Sequence, residues 1–99
     1  QQIIVRYNMQ VMRFTADWCG PCKKYAPVFK AFSEQTDGVD FFTVDADENP
    51  DVFKQYAVTS VPTTIIIVGG KEVFRVLGPQ TSTQLAELVS KAHAVASKV

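Results

Sequence analysis

The chain has 99 residues, 46% of them apolar, and ten basic side chains balance ten acidic ones. This suits one domain over residues 1–99 with a single core. The balanced charge implies no field for nucleic acid, and the longest apolar run, Ile65-Ile66-Ile67-Val68, is far too short to span a bilayer. Two cysteines are too few for a disulfide framework. They point to catalysis in a reducing compartment, the cytoplasm. No signal peptide is read, although Gln1 is not an initiator residue and a processed or cropped chain is expected.

From Gln1 to Phe14, Ile3, Val5, Tyr7, Met9 and Val11 alternate with more polar neighbours, which is strand periodicity. The apolar parity shifts at Val11-Met12, so a bulge or burial of both faces is expected there. The apolar run from Val11 to Ala16 is strand-like. After it, Lys23 to Gln35 places Tyr25, Val28, Phe29 and Phe32 on a helical stripe, with Pro27 as a kink and Gly38 as a stop. Val39 to Ala46 is apolar enough for a central strand. Asn49 can cap a short helix that opens at Pro50, with Phe53 and Tyr56 turned inward.

Thr63 to Val68 reads as a buried strand, Gly69-Gly70-Lys71 as a hairpin turn and Glu72 to Leu77 as its antiparallel partner. Gly78-Pro79 breaks the chain. Thr81 and Gln84 then form a capping box for a last helix buried along Leu85, Leu88, Val89, Ala92 and Ala96. Strands and helices in this order give an α/β sandwich around a mixed sheet.

Both cysteines lie in Trp18-Cys19-Gly20-Pro21-Cys22, where a strand hands over to a helix. A helix N-terminus offers unpaired N–H groups and positive potential, which favour a thiolate. The thiolate is the form that attacks disulfides. Cys19, at the exposed helix start, should attack; Cys22, one turn deeper, should resolve the mixed disulfide. Pro21 suits a first helical turn, and Gly20 leaves room for a partner chain. Zinc needs four ligands, and the chain offers only His93 besides these two, so no metal site is expected. A purely structural disulfide across so short a loop would remove little chain entropy. Asp45, Asp47, Glu48 and Asp51 read as a solvated strand end and helix cap, Asp17 as a solvated carboxylate, and His93 as a surface residue.

The Trp18-Cys19-Gly20-Pro21-Cys22 motif resembles that of the thioredoxin family. So do Val61-Pro62-Thr63 about forty residues later, Pro27, Asp47-Glu48-Asn49-Pro50, Gly69-Gly70 and Gly78. The resemblance runs from about Val11 to the C-terminus. It implies a thioredoxin-like three-layer sandwich, a central mixed sheet flanked by helices. The family usually carries a helix before the strand that leads into the motif. Only eighteen residues precede Cys19, too few for a parallel crossover, so that first helix is expected to be absent. The uncovered N-terminal strand region would then be less stable or take a homodimer partner.

The resemblance also implies that Pro62 follows a cis bond and lies against the cysteines, which turns the Val61 backbone toward an extended substrate. Trp18, Gly20, Pro21, Val61, Pro62 and Gly78 would form a flat apolar substrate-binding patch. Arg13 departs from the family. A buried aspartate that helps deprotonate the resolving thiol usually stands there, and the lysine that often opposes it is matched by Thr43. Arg cannot act as a base. Two readings stand: Arg13 snorkels to the sheet end, or it approaches the sulfurs, stabilises thiolate and makes a better oxidant.

The function expected is therefore thiol–disulfide oxidoreduction on protein disulfides through the Cys19/Cys22 couple, within cell redox homeostasis. It needs no cofactor beyond that redox-active disulfide, and a thioredoxin reductase or similar donor recycles it. The alternative from another class is a thioredoxin-fold binding subunit used for its surface. A disulfide oxidase or isomerase is a third reading.

Overall fold

A computed structural model of the chain describes residues 8–96. Its elements are β1 (Met9–Thr15), α1 (Gly20–Glu34), β2 (Asp40–Asp45), α2 (Pro50–Gln55), β3 (Thr63–Val68), β4 (Lys71–Leu77) and α3 (Ser82–Ala96). The four strands form one sheet in the order β2-β1-β3-β4. β1 runs parallel to β2 and antiparallel to β3, and β3 runs antiparallel to β4, so the sheet is mixed. The α/β architecture expected from the strand and helix order is the one observed. The alternation at Ile3, Val5 and Tyr7 lies outside the described residues, as does the expected absence of a helix before β1.

The interior strands carry residues that suit a sheet covered on both faces. β3 is Thr-Thr-Ile-Ile-Ile-Val, β-branched throughout and buried along nearly its whole length. Alternate residues of β1 and β3 point to opposite faces. On one face Met9, Val11 and Ile66 pack with Tyr25 and Phe29 of α1 and with Leu85, Val89 and Ala92 of α3. On the other, Phe14, Val44, Ile65 and Ile67 pack with Val58 and with Val52, Phe53 and Tyr56 around α2. Helix, sheet and helix make the three layers.

β1 needs no bulge at the parity shift. It pairs in continuous register with β2 and β3, and Val11, Arg13 and Phe14 are all buried while Met12 is half-buried. The irregular step falls instead between β3 and β4, beside Ile66 and Ile67. β2 reads as central by its apolar content. It is outermost among the described strands, and much of it is exposed, including Phe42 at 45%. Val44 is its one buried residue.

The turns follow the chemistry of the chain with one exception. Gly69 and Gly70 close the β3–β4 hairpin with positive φ angles, a conformation that costs glycine little. Thr81 and Gln84 bond each other's backbone N–H at 3.1 and 2.9 Å, which is the expected capping box. Asn49 occupies the N-cap position of α2 but makes no side-chain cap bond. The preceding turn is held by Asp45, whose Oδ2 accepts from the Asp47 and Glu48 N–H groups at 2.9 and 3.1 Å.

Leu85 is fully buried between α3 and the sheet. Leu85→Ala should cost about 2–5 kcal/mol in urea unfolding, because it removes apolar contact and leaves a cavity. A loss below about 1 kcal/mol, less than the transfer of the missing methylenes, would show that α3 is not anchored there.

Candidate active site

β1 ends at Thr15, and Ala46 N–H bonds the Thr15 carbonyl at 2.9 Å, which holds the strand end against the β2–α2 turn. The chain then turns once, with Cys19 N–H on the Ala16 carbonyl at 3.2 Å, and enters α1. The helix begins at Gly20, earlier than the Lys23 start expected from its apolar stripe, with Pro21 in the first turn. Cys19 is its N-cap residue, in extended backbone, and its Sγ accepts the Cys22 N–H at 3.2 Å. One orphan donor of the helix start is thereby aimed at the sulfur.

Cys19 and Cys22 are joined as a disulfide, with Cα atoms 5.3 Å apart. Cys19 is 7% exposed and Cys22 1%, so the first cysteine is the more accessible, but it is far more covered than an exposed helix start suggests. Ala16, Ala46 and Val61 pack around the pair. Val61 comes from the loop that the resemblance placed against the cysteines, whereas Ala46, after β2, was not expected there.

The Val61–Pro62 bond is cis, as expected from the resemblance. Cys19 Sγ lies 3.8 Å from the Val61 carbonyl oxygen, which brings the two motifs together. Gly78 N–H bonds the Pro62 carbonyl at 2.8 Å, and Gly78 has a φ of 85°, in the region that favours glycine. Around the sulfurs, Trp18 is 71% exposed, Gly20 and Pro21 are exposed, and Val61 and Gly78 are half-buried. Pro62 itself is buried beneath them and adds little surface.

Arg13 is paired in register with Thr43, and its Nη2 donates to the Thr43 hydroxyl at 3.3 Å. The guanidinium carbon sits 5.4 Å from the Phe29 ring centroid. Arg13 is 8% exposed and does not snorkel to solvent. It lines an open cleft that Cys22 also lines, together with Asp17, Lys23, Asp45 and Glu48. Burial lowers its pKa, partly offset by Tyr25. Asp17 is exposed at the rim, and His93 is exposed on α3. Among the described residues no group of three or more His, Cys, Asp or Glu side chains converges as a metal site.

One feature that the sequence pattern hides lies below Cys22 on α1. Tyr25, apparent only as an apolar stripe position, shares a 2.7 Å hydrogen bond between its hydroxyl and that of buried Thr64. Its ring also meets Phe29 edge-on. Burial raises the Tyr25 pKa, while the Thr64 bond and the Arg13 charge pull it partway back.

A disulfide at a helix N-terminus, set against a cis-proline loop on an α/β sandwich, defines a thiol–disulfide oxidoreductase. The thioredoxin family model matches residues 1–91. Thioredoxin H2 of Arabidopsis thaliana is 40% identical over 87 residues, covering 88% of this chain and 65% of that protein. A thioredoxin of Staphylococcus aureus strain Mu50 is 40% identical over 88 residues, covering 88% of this chain and 85% of that protein. The chain thus spans just under two thirds of the plant relative's length. Among solved structures, Fasciola hepatica thioredoxin superposes with a TM-score of 0.79 at 38% identity, covering 85% of this chain and 80% of that one. A thioredoxin from Nicotiana alata gives 0.79 at 39% identity, covering 85% of this chain and 72% of that one. The chain belongs to the thioredoxin family.

The raised Tyr25 pKa fixes a sign. In the unfolded chain tyrosine ionises near about pH 10. The buried hydroxyl resists ionisation longer, so its contribution is full below about pH 10 and is lost as pH rises through the folded pKa. Tyr25→Phe should flatten that alkaline limb of a stability–pH curve. At neutral pH it should cost about 1–3 kcal/mol, because the Thr64 hydroxyl is left unpaired. An unchanged alkaline limb would assign the loss to another group.

Proposed function

We propose that the chain moves two electrons between its Cys19/Cys22 couple and the disulfides of other proteins. Cys19 attacks and Cys22 resolves. The observation that carries this reading is the Cys19–Cys22 disulfide at the start of α1, with Cys19 the more accessible sulfur. The helix start favours Cys19 as thiolate once the disulfide is open. A substrate segment lies across Trp18, Gly20, Pro21, Val61 and Gly78, with the cis Pro62 beneath it. The mostly apolar surface there selects by shape and backbone rather than charge. No observation favours a binding subunit that leaves its thiols unused.

The reading extends to a single domain over residues 1–99 that works in a reducing compartment, the cytoplasm. There a thioredoxin reductase or a similar donor restores the dithiol, and no further cofactor takes part. Arg13 tunes the pair: its positive charge in the cleft shared with Cys22 favours the thiolate, and with it the reduced form. A homodimer through the N-terminal side of the sheet is supported by β2 being outermost among the described strands, with Phe42 exposed.

The test is insulin reduction with dithiothreitol as donor. The wild type should turn over, Cys19→Ser should be inactive, and Cys22→Ser should accumulate a mixed disulfide with substrate. Folded, fully reduced wild type without turnover would reject the oxidoreductase reading. Arg13→Asp should make the reduction potential more negative and raise the thiol titration. If neither moves, Arg13 does not tune the pair.

A further inference from the structure

β4 holds one residue more than the strand it pairs with. Ile66 stands opposite Phe74 but Ile67 opposite Glu72, so Val73 is the extra residue of a bulge. In a regular strand, residues three apart point to opposite faces. The bulge brings Glu72 and Arg75 to one face, opposite Ile67 and Ile65, on the side that α2 covers.

There the two side chains form a planar, two-point ion pair. Arg75 Nε donates to Glu72 Oε2 at 2.8 Å, and Nη2 donates to Oε1 at 2.7 Å. The carboxylate fixes the plane of the guanidinium, whose remaining donors meet backbone. Nη2 also donates to the Tyr56 carbonyl at 2.6 Å, and Nη1 to the Ala57 carbonyl at 3.4 Å. These oxygens lie just past the end of α2, where carbonyls have no helical partner. Ala57 has a φ of 52°, a conformation that residues other than glycine rarely adopt. An exposed ion pair contributes little to stability. What this one does is grip a particular piece of backbone.

We propose that Arg75, oriented by Glu72, is a positioning residue for protein substrates: it anchors the start of the segment 57–62 and so sets the Val61 backbone that receives them. The proposal rests on the oxidoreductase reading. Val61 follows Ala57 by only four residues. β4 holds this segment at both ends, by Arg75 at its entry and by the Gly78 N–H on the Pro62 carbonyl, 2.8 Å, at its exit. Within it, Val58 N–H bonds the Phe53 carbonyl at 2.9 Å, and the Thr63 hydroxyl donates to the Ser60 carbonyl at 2.7 Å. The Val61 carbonyl oxygen lies 3.8 Å from Cys19 Sγ, so a shift of the segment changes the register between a bound substrate backbone and the attacking sulfur. Arg75 acts through the Tyr56 and Ala57 carbonyls and not on the sulfurs. Lysine is no equivalent, because one ammonium cannot serve two carboxylate oxygens and two carbonyls in a fixed plane.

Insulin presents an extended backbone to Val61, whereas dithiodipyridine presents only a small disulfide, so the two substrates separate this role from one on the dithiol. With dithiothreitol as donor, Arg75→Ala should raise the KM for insulin by about threefold or more while kcat stays within about twofold of wild type. The pre-reduced variant should react with dithiodipyridine within about twofold of the wild-type rate, since the thiols themselves are untouched. Its Val61 amide resonance should shift. Glu72→Gln loosens the guanidinium plane and should raise the insulin KM by a smaller factor, and Arg75→Lys should fall between Arg75→Ala and wild type. If Arg75→Ala does not fold, Glu72→Gln and Arg75→Lys decide. An unchanged insulin KM in the folded variants, an equal loss on both substrates, or an unmoved Val61 amide would overturn the role. Wild type without turnover would instead reject the oxidoreductase reading, and the Val61 amide would still report the clamp.

Discussion

The whole site depends on β1 being held from both sides. Parallel pairing to β2 and antiparallel pairing to β3 leave it no freedom of register, since a one-residue slip would exchange its two faces. That register puts Met9 and Val11 under α1 and α3, and Phe14 under α2. It also decides where the strand stops. Thr15 is tied to Ala46, and a single turn later the backbone enters a helix in which the Cys22 N–H meets the sulfur of Cys19. The chemistry of the pair is thus a consequence of strand termination: an electropositive helix end is delivered to a place fixed by hydrogen bonds on both neighbours.

The second half of the site is fixed by the same sheet from the other direction. β3 begins at Thr63, directly after the cis Val61–Pro62 bond, and pairs with Leu77 at the end of β4. The Gly78 N–H reaches back to the Pro62 carbonyl, so the loops before β3 and after β4 are linked just where the surface meets the sulfurs. Two segments far apart in sequence therefore sit at one end of the sheet. Binding surfaces built this way on strand ends stay in place while their side chains remain accessible.

Much of this was legible in the sequence because it is local. The pair of cysteines, the strand before them, the glycine hairpin and the Thr81–Gln84 box each depend on residues within a few positions of one another. What was not legible depends on neighbours that local pattern does not name. Val39 to Ala46 looks central by apolar content, yet position in a sheet is set by pairing, and β2 lies outermost among the described strands. Asn49 stands at the cap position, but Asp45 reaches the turn first and takes two of its N–H groups. Cys19 sits at a helix start, yet Val61 and Ala46 close over it from elsewhere in the chain. Arg13 could be marked as a departure from the thioredoxin pattern. Its burial and its lone neutral partner are properties of the folded cleft.

The two buried polar groups beneath the pair show how differently a core can carry polarity. Tyr25 and Thr64 satisfy each other at 2.7 Å within an otherwise apolar layer, a closed arrangement that rigidifies α1 against β3. Arg13, which pairs with Thr64 across the sheet, is only half satisfied: a ring on one side, a hydroxyl on the other, and an Nε without a partner. The residue belongs to the wall of an open cleft rather than to a sealed core, although Nε itself is buried. Arg13 and Cys22 line that cleft together, one from β1 and the other from α1.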